Sequence, residues 1–396
     1  MTDEQFVSPA PRTNMPKRTV LVAHPSAQFY GADRMCAQSV EAFIRAGHRV
    51  VVALPTVGPL TETLTELGAE VNELGVPVLR KGAMSGMGLL RYAGDVVRSL
   101  PSAWRFLRQV DADLVYVNTV ALPPWIALAR LARKPVVCHV HEAEDSLPRP
   151  MRKALSAPLL VANRVIANSE ASRDFLTRSF SRLGRRTTVV YNGVPVMIEA
   201  SPPRKVLEAP IRLVQIARIA PRKGTDTAVA ALAILIASGY DVTLEIVGAV
   251  FPGNEWFEKQ VRHQALEAGL EDRIHWSGET PDPWPSLAAA DIALAPSLVE
   301  SFGNAVVESI LALRPVVAAD NRGYREISTL IGWDDLVAPG DPVALAEAVA
   351  NLIADWVAVG ERTQLAASRA RVVLDPARYR AELIEAVGEV FAPESS

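Results

Sequence analysis

The feature that most constrains this chain is a repeated alternation of short runs rich in valine, isoleucine and leucine with longer segments of helical periodicity. Such alternation is typical of parallel sheets, in which each strand is followed by a helix that crosses back over the sheet. The alternation occurs in two series, and residues 195–210, a polar stretch with four prolines, separate them. The sequence therefore predicts a bilobed α/β protein with two parallel-sheet domains.

The strands predicted from these runs are short and recur along both series. In the first series they cover residues 19–23, 49–54, 71–74, 114–117, 135–140, 164–167 and 187–191, and in the second residues 211–217, 242–247, 273–276, 292–295 and 315–319. Helices are predicted in the intervals, for example over residues 32–46, 124–132, 225–238, 256–268, 285–289 and 304–313. From residue 341 to residue 391 the pattern predicts almost continuous helix.

Length supports this division, because 396 residues are too many for one ordinary hydrophobic core. We predict a disordered tail, a first domain, a linker, a second domain and a final helix with a tail, over residues 1–16, 17–194, 195–210, 211–375 and 376–396. Ligands of such sheets bind at the carboxyl ends of the strands, which predicts a site in the cleft between the domains.

Composition indicates the class of protein. Hydrophobic residues make up 49% of the chain and charged residues 21%, as in ordinary soluble globular proteins. No apolar run reaches the roughly 18 to 20 residues that span a bilayer, and the first residues lack the pattern of a signal peptide. Cys36 and Cys138 are expected to be buried thiols in a reducing compartment. We therefore predict a cytoplasmic protein.

Charge is unevenly divided along the chain. Residues 1–191 contain 24 Lys and Arg against 16 Asp and Glu, whereas residues 192–396 contain 17 against 28. A basic half suits an anionic partner such as a membrane surface. A chance distribution over solvated faces explains the asymmetry about as well. We predict no nucleic-acid partner.

The strongest candidate for ligand chemistry is residues 300–308 (ESFGNAVVE), between a predicted strand and a predicted helix. Free N–H groups and the helix dipole at residues 303–305 form an anion site. Glu308, one turn into the helix, is placed to accept hydrogen bonds from ribose hydroxyls, and Glu300 is placed to reach hydroxyls of a bound sugar. Taken alone, an ordinary helix-start glutamate and an exposed loop glutamate explain the pattern about equally well.

A second candidate is residues 218–224 (RIAPRKG), directly after the first strand of the second domain. Arg218 and Lys223 flank a turn that Pro221 stiffens. A diphosphate sheltered from water needs positive charge to offset its own, so these two side chains are candidates to bind one.

The first domain offers two weaker candidates. Gly31 and Ala32 open a helix where a ligand phosphate could approach the backbone, although one glycine makes neither a dinucleotide fingerprint nor a P-loop. At the end of another strand, we expect His139 and His141 to point to opposite faces, with His141 towards the cleft and His139 in the core.

In order and spacing, these segments resemble the retaining glycosyltransferases of family 4, which have the GT-B fold, and the resemblance covers nearly the whole chain. The matching segments are similar to the end of the first domain, the diphosphate-binding pair, the paired-glutamate motif and the strand and turn after it. They are residues 191–195 (YNGVP), 218–224 (RIAPRKG), 300–308 (ESFGNAVVE) and 315–327 (PVVAADNRGYREI).

The resemblance implies two facing Rossmann-like domains, the first for the acceptor and the second for a nucleotide-diphosphate sugar donor, with a final helix that crosses back to the first domain. It implies transfer of a sugar to a hydroxyl of a glycan or lipid-linked acceptor. Such enzymes need no metal or other cofactor, because cationic side chains stabilise the leaving diphosphate. Attack from the front face then needs no side-chain nucleophile.

The resemblance also implies roles for residues. Arg218 and Lys223 would hold the diphosphate, Glu308 the ribose and Glu300 the transferred sugar, while His141 would contact the sugar near the reacting carbon. The implied catalytic groups are His141, Glu300, Arg218 and Lys223. The implied donor-binding residues are Gly31, Ala32, Arg218, Lys223, Glu300, Phe302, Gly303, Asn304, Ala305 and Glu308. The base is expected to be read largely by the backbone around residues 278–280.

Two positions depart from the family pattern. Tyr30 precedes Gly31 where a Gly-Gly pair is common, which places a bulkier group near the phosphates. Glu142 follows His141, with Glu144 and Asp145 further on, which leaves the acceptor contacts open.

One pair of acids invites a different interpretation. Asp111 and Asp113 match the Asp-x-Asp pair that holds a metal on nucleotide-sugar diphosphates in another transferase architecture. Here the pair precedes a strand instead of ending one, so we interpret it as a solvated strand entrance and predict no metal site.

The acceptor side is less defined. Basic and aromatic residues share one stretch with a single acid, Asp95; they are Arg80, Lys81, Arg91, Tyr92, Arg98, Trp104, Arg105, Phe106 and Arg108. Arginines seven residues apart lie near one helical face if Pro101 only kinks the helix. Such a face suits peripheral contact with an anionic membrane, an inner plasma-membrane location and a lipid-linked acceptor in cell-envelope or surface polysaccharide synthesis. An ordinary solvated helix explains it at least as well.

Two other functions remain open at this point. A nucleotide-sugar 2-epimerase of the same architecture would be expected to carry additional acids and histidines around the sugar carbon, which we do not find in the sequence. A non-catalytic sugar-nucleotide-binding protein of the same fold would keep the donor residues without turnover.

Overall fold

The computed structural model describes residues 16–79, 86–143, 147–196, 203–280 and 282–391. Its strands form two separate sheets, and the neighbouring strands within each sheet pair in parallel. Strands alternate with helices along both halves of the chain, which confirms the predicted α/β class.

The first sheet has seven strands. They are β1 (Thr19–Ala23), β2 (Arg49–Leu54), β3 (Glu70–Glu73), β4 (Leu114–Val117), β5 (Val136–Val140), β6 (Arg164–Ala167) and β7 (Thr187–Val189), in the spatial order β3-β2-β1-β4-β5-β6-β7. The helices of this half are α1 (Gly31–Arg45), α2 (Pro59–Glu66), α3 (Gly86–Val110), α4 (Pro123–Leu131), α5 (Arg149–Ser156), α6 (Glu170–Ser179) and α7 (Ser181–Arg186).

The second sheet has six strands. They are β8 (Ile211–Ile216), β9 (Val242–Val247), β10 (Ile274–Gly278), β11 (Ile292–Ala295), β12 (Val316–Ala319) and β13 (Leu336–Val337), in the spatial order β10-β9-β8-β11-β12-β13. The remaining helices are α8 (Thr225–Ala237), α9 (Glu255–Glu267), α10 (Trp284–Ala289), α11 (Asn304–Leu311), α12 (Arg322–Ile331), α13 (Pro342–Ala354), α14 (Trp356–Val373) and α15 (Pro376–Gly388).

Each sheet is buried on both faces, which explains why its strands are nearly continuous apolar runs. In β1, Val20 and Val22 pack into one core of the first domain, whereas Leu21 and Ala23 pack into the core on the opposite face. Successive side chains of a strand point to opposite faces, so one short run contributes to both cores.

The predicted strands and helices are confirmed, with ends that move by one or two residues. Strand β13 is an addition, because two residues at the edge of a sheet are too few to show a pattern. Helix α3 is 25 residues long and contains Pro101 in its interior, so this proline does not end the helix.

Helix α15 crosses from the second half of the chain to the first domain, as predicted. Tyr379, Leu383 and Val387 lie in the same core as Val20 and Val22 of the first sheet. The Tyr379 hydroxyl is 2.6 Å from the hydroxyl of Ser39 in α1. The last helix therefore completes a core that the first 45 residues begin.

The two domains also meet along the cleft. The carboxylate of Glu326 in α12 accepts hydrogen bonds from the backbone N–H groups of Glu170 (2.6 Å) and Ala171 (3.0 Å), which open α6 in the first domain. The first N–H groups of a helix have no partner within the helix, and a negative charge is favoured there. Glu326 thus caps a helix of the other domain.

No single helix in the described part of the chain is long and apolar enough to cross a bilayer; α13 and the segment Trp356–Phe391 meet that test only when joined across a 100° bend. Several predictions fall on residues outside the described ranges: most of the N-terminal tail, Arg80, Lys81, Glu144, Asp145, residues 197–202 of the linker and the last five residues.

Candidate active site

A cleft of about 300 Å³ lies between the two sheets, where the starts of α1 and α11 face each other. The approach is close: a Cβ atom at Gly31 would lie 3.3 Å from the Asn304 side-chain nitrogen. Asn304 also accepts a hydrogen bond of 2.9 Å from the side chain of Asn192, which belongs to the first domain. Both helix starts are thereby fixed around one space.

The turn after β8 brings Arg218 and Lys223 into this cleft. The Arg218 guanidinium lies between two rings, 4.9 Å from the centre of Tyr30 and 4.6 Å from that of Phe251. Gln215 donates a hydrogen bond of 3.0 Å to the Lys223 carbonyl, which ties the turn to β8. Burial lowers the pKa of Arg218, with a further contribution from the charge of Arg222.

Gly224 is required where this turn enters α8. Its φ of +67° lies in the left-handed region, and a Cβ atom there would lie 2.3 Å from the Pro296 carbonyl oxygen. Only glycine fits both conditions without displacing the turn. In the Lys-Gly pair of the sequence, Lys223 supplies the cation and Gly224 allows the backbone to turn into α8.

Glu300 and Lys223 form an ion pair inside the cleft, and both side chains are largely buried. The Tyr324 hydroxyl lies 3.5 Å from the same Glu300 oxygen. Burial alone would raise the pKa of Glu300, but the charges of Lys223 and Arg222 outweigh it and lower that pKa. Glu300 is thus held as a carboxylate.

Helix α11 is preceded by a position that requires glycine. Gly303 has a φ of +129°, and a Cβ atom there would lie 2.7 Å from the Tyr324 ring. Asn304 and Ala305 follow and border the cleft, and as the first residues of α11 they have backbone N–H groups without a partner inside the helix. Phe302 also borders the cleft, but it is 2% exposed and belongs to the core of the second domain.

Glu308 lies on the next turn of α11 and is 3% exposed. Its Oε1 atom is 2.8 Å from Nη1 of Arg34, a residue of α1 in the first domain. Arg34 lies in the segment that opens α1, but the sequence alone indicates no role for it, because its partner belongs to the other domain.

His141 lies at the end of β5 and lines the cleft from the first domain. Its Nε2 atom is 2.9 Å from Oδ1 of Asn118, and Nδ2 of Asn118 is 3.0 Å from Nδ1 of His24. Burial, with a smaller contribution from His24, lowers the pKa of His141 to about 3, so the ring is neutral near pH 7.

Because Nε2 of His141 is engaged with Asn118, Nδ1 is the ring nitrogen that remains for a ligand. That Nδ1 atom is buried and has no hydrogen-bond partner among the described residues. This series of side-chain hydrogen bonds extends beyond His24, because the Nε2 atom of His24 is 2.8 Å from Oδ1 of Asp33. The sequence alone does not indicate the contacts among His24, Asp33 and Asn118, since nothing in their local pattern predicts them.

The prediction that His139 and His141 point to opposite faces is wrong. Their ring centres are 4.1 Å apart and both lie on the same face, because residues two apart on a strand share a face. The prediction that His139 is a core residue is confirmed: it is fully buried, and its Nδ1 atom is 2.5 Å from the Tyr116 hydroxyl.

The two departures from the family pattern have structural consequences. Tyr30 stacks on Arg218, so it covers the cation predicted to bind phosphate. Glu142 accepts hydrogen bonds from the backbone N–H of His141 (2.9 Å) and from the Thr119 hydroxyl. Glu142 therefore holds the loops around His141 in place.

All the sequence-predicted site residues border this one cleft: Gly31, Ala32, His141, Arg218, Lys223, Glu300, Phe302, Gly303, Asn304, Ala305 and Glu308. Thr280, from the segment predicted to read the base, borders it as well. Asp111 and Asp113 precede β4 at the amino end of the strand, where Asp113 accepts a hydrogen bond of 2.8 Å from Thr19 N–H and Asp111 pairs with Lys134. This confirms their interpretation as a strand entrance.

Comparison with known proteins identifies the family. Residues 29–197 match the family model described as Glycosyltransferase Family 4, and residues 198–371 match the model described as Glycosyl transferases group 1. The chain belongs to glycosyltransferase family 4. The lipopolysaccharide core biosynthesis mannosyltransferase LpcC of Rhizobium leguminosarum bv. viciae is similar to this family 4 protein, with 33% identity over 35% of the chain and 39% of LpcC.

The 2-deoxystreptamine glucosyltransferase of Streptomyces kanamyceticus is 27% identical to this family 4 protein, and the match covers 77% of this chain and 84% of the relative. Anabaena HepE, solved in complex with UDP-glucose, has a similar fold, with a TM-score of 0.78, 23% identity, and coverage of 94% of this chain and 100% of HepE. The match to LpcC spans less than half of that relative. The structural neighbours are GT-B proteins, and the two sheets with their flanking helices are two Rossmann-like domains.

Proposed function

We propose that the protein is a retaining glycosyltransferase that moves a sugar from a nucleotide-diphosphate sugar to a hydroxyl of a glycan or lipid-linked acceptor. The observation that carries the proposal is the convergence of two cations, two buried carboxylates and a helix start in one cleft. Arg218 and Lys223 come from one turn, Glu300 comes from the loop before α11, and Glu308 comes from α11 itself.

The charges suit a bound donor. The diphosphate would lie between Arg218, Lys223 and the free N–H groups at the start of α11, and the ribose would lie against Glu308. Glu300, held ionised by Lys223, would accept hydrogen bonds from the transferred sugar. HepE was solved with UDP-glucose, which makes UDP-sugars the first donors to try.

The reaction would break the bond between the anomeric carbon and the phosphate oxygen, and form a bond from that carbon to the acceptor oxygen on the same face. The acceptor proton would pass to the leaving phosphate oxygen. Arg218 and Lys223 would stabilise the charge that develops on the diphosphate, so we propose that no metal is required. Nδ1 of His141, which has no partner among the described residues, would form a hydrogen bond with a sugar hydroxyl near the reacting carbon.

Helix α3 supports a lipid-linked acceptor at the inner face of a membrane. Met87, Leu90 and Val97 are 82%, 70% and 65% exposed, and Trp104 is 36% exposed. Exposed arginines alternate with them along α3 on the same side of the helix; they are Arg91, Arg98, Arg105 and Arg108. Apolar and cationic side chains on one exposed face suit an anionic bilayer surface.

This surface is less aromatic than the sequence predicts, because Phe106 packs against the core of the first domain and Tyr92 is half-buried. LpcC, a lipopolysaccharide core mannosyltransferase, supports a role in cell-envelope or surface polysaccharide synthesis. We propose a cytoplasmic location on the same ground.

Donor binding is tested by thermal shift with UDP, GDP, ADP and dTDP, each with and without magnesium. A ligand at a hundred times its Kd should stabilise the protein by about 2.7 kcal/mol. One metal-independent stabilisation that Arg218→Ala abolishes is expected. No stabilisation by any of the four would refute the donor site.

Turnover separates this proposal from a binding protein and from an epimerase. The proton spectrum of the product should show the same anomeric configuration as the donor, joined to an acceptor. Glu300→Ala should reduce turnover. A donor that is bound but never consumed would favour the binding protein, and an altered sugar nucleotide without acceptor would favour the epimerase.

Membrane contact is tested by sedimentation with anionic liposomes at low salt. Replacing Arg91, Arg98 and Arg105 together by Gln should release the protein from the vesicles. The control is the same replacement of Arg133, Arg182 and Arg185, which are exposed arginines elsewhere in the first domain. Equal release by both triple variants would contradict a contact made by α3.

A further inference from the structure

The ion pair between Arg34 and Glu308 joins the two domains inside the cleft. Arg34 belongs to α1 of the first domain and Glu308 to α11 of the second, and Nη1 of Arg34 is 2.8 Å from Oε1 of Glu308. Both residues border the cleft. A residue of the acceptor domain thus touches the carboxylate that the proposed function assigns to the ribose.

The two oxygens of the Glu308 carboxylate are used differently. Oε1 is paired with Arg34, whereas Oε2 is buried and has no hydrogen-bond partner in the part of the chain that the structure describes. A buried acceptor without a partner is unfavourable unless a ligand completes it. Glu308 borders the cleft in which a donor would lie.

The reach of Arg34 depends on the close approach of the two helix starts. Gly31 opens α1 against Asn304, so Arg34, three residues later, projects towards the next turn of α11. The pair exists only while the domains are together across the cleft.

We propose that Arg34 is a positioning residue of the donor site: it orients Glu308 as a carboxylate, so that Oε2 accepts a ribose hydroxyl, and it makes ribose recognition depend on contact between the domains. This inference rests on the proposed function.

The electrostatics of the site favour this role. Burial raises the pKa of Glu308, and the nearby negative charge of Asp282 acts in the same direction, whereas Arg34 lowers it. These are the charged groups that face Glu308 in the described structure: Arg34 from α1 and Asp282 from the segment before α10. Arg34 therefore opposes protonation of Glu308, and a protonated acid is a poorer acceptor for a hydroxyl.

A competing arrangement predicts the opposite effect on nucleotide binding, and the experiment separates the two. If the Arg34 guanidinium occupies the place of the ribose, the pair competes with the donor. Its removal would then strengthen nucleotide binding instead of weakening it.

The test is calorimetric titration of the full chain with UDP and with 2′,3′-dideoxy-UDP at pH 6.5 and pH 8.5. Arg34→Met should bind UDP about tenfold more weakly than wild type at pH 6.5, the usual effect of losing a hydrogen bond to a charged group. Part of the loss should return at pH 8.5, because a higher pH favours the carboxylate form of Glu308. Binding of the dideoxy nucleotide should not change, since it has no ribose hydroxyl to offer.

Three variants make the result specific. Arg34→Lys keeps the charge and should restore part of the affinity, and it replaces Arg34→Met should that variant not fold. Glu308→Gln should lose UDP affinity with no recovery at pH 8.5. Arg45→Met removes another arginine from α1, one that pairs with Glu41 on the surface, and should bind like wild type.

Two results would overturn the inference: UDP binding by Arg34→Met that equals or exceeds wild type, or an equal loss for UDP and the dideoxy nucleotide. Failure of the proposed function looks different. In that case wild type itself binds neither nucleotide, and the inference falls with it.

Discussion

Gly224 allows a quantitative test of the turn that carries Lys223. Alanine at this position meets two separate penalties, a left-handed φ of +67° and a Cβ atom 2.3 Å from the Pro296 carbonyl oxygen. The left-handed conformation costs about 1–2 kcal/mol for a residue with a side chain. Overpacking against fixed backbone adds about 1–3 kcal/mol. Gly224→Ala should therefore destabilise the protein by about 2–5 kcal/mol.

A matched control separates the two penalties. Gly269 follows α9 in the same domain with a φ of +66°, and no described atom lies within 4 Å of its Cβ position. Gly269→Ala should lower the free energy of unfolding only by the cost of the left-handed conformation, about 1–2 kcal/mol. The difference between the two variants is the clash, which corresponds to a gap in Tm of about 2–12 °C if each kcal/mol shifts a domain of this size by about 2–4 °C.

The assay combines thermal unfolding with UDP titration well below the lower Tm. Gly224→Ala should melt below Gly269→Ala and should bind UDP more weakly, because relief of the clash moves Lys223 away from Glu300. Gly269→Ala should bind UDP like wild type. Equal melting temperatures for the two variants would refute the steric argument, and normal UDP binding by Gly224→Ala would refute the link between this turn and the donor site.

Three further predictions concern buried polar groups. Asn118→Ala should lower kcat on the order of a hundredfold while changing UDP affinity less than twofold, since it misplaces His141 but not the diphosphate cations; equal losses in both quantities would contradict this. Tyr379→Phe removes a hydroxyl that is 2.6 Å from Ser39 and should lower stability in urea unfolding by about 0.5–1.5 kcal/mol, whereas Tyr92→Phe, which removes a buried hydroxyl with no partner among the described residues, should lower it less. Because the pKa of Glu300 is lowered in the folded protein, the stability that its carboxylate contributes is fully present above the ordinary pKa of 4.5 and is lost as the pH falls through the folded pKa. The difference in unfolding free energy between wild type and Glu300→Gln should therefore be constant above pH 5 and shrink in acid. A difference that grows in acid would contradict the lowered pKa.

The elements that could be predicted from the sequence are those with a local pattern. The runs that became β1 and β8 are apolar because parallel strands are covered on both faces, and that requirement appears within five or six residues. The segments around Arg218 and Glu300 could be placed at the cleft because each follows a strand, and the carboxyl ends of parallel strands mark the binding edge.

The contacts that were missed depend on partners distant in the chain. Nothing near Arg34 indicates that Glu308 will be its partner, and nothing near Glu326 indicates that it caps a helix of the other domain. His24 and Asn118 are single polar residues at strand ends, and they acquire a role only when β1 and β4 pair side by side. Helix α3 could be recognised, but not its continuation through Pro101, because a proline interrupts the helical hydrogen bonds and the surrounding packing decides the outcome.

The path of α15 has a consequence for biosynthesis. The core around β1 includes Tyr379, Leu383 and Val387, so the first domain cannot finish packing when its own strands leave the ribosome. At about 5–20 residues per second, the roughly 190 residues between β7 and this helix take roughly 10–40 s to make. During that interval the face of α1 that α15 will cover is open to water, and the nascent chain is most exposed to aggregation and to chaperones. A ribosome stalled before residue 376 would hold a nascent protein whose first domain still lacks part of its interior.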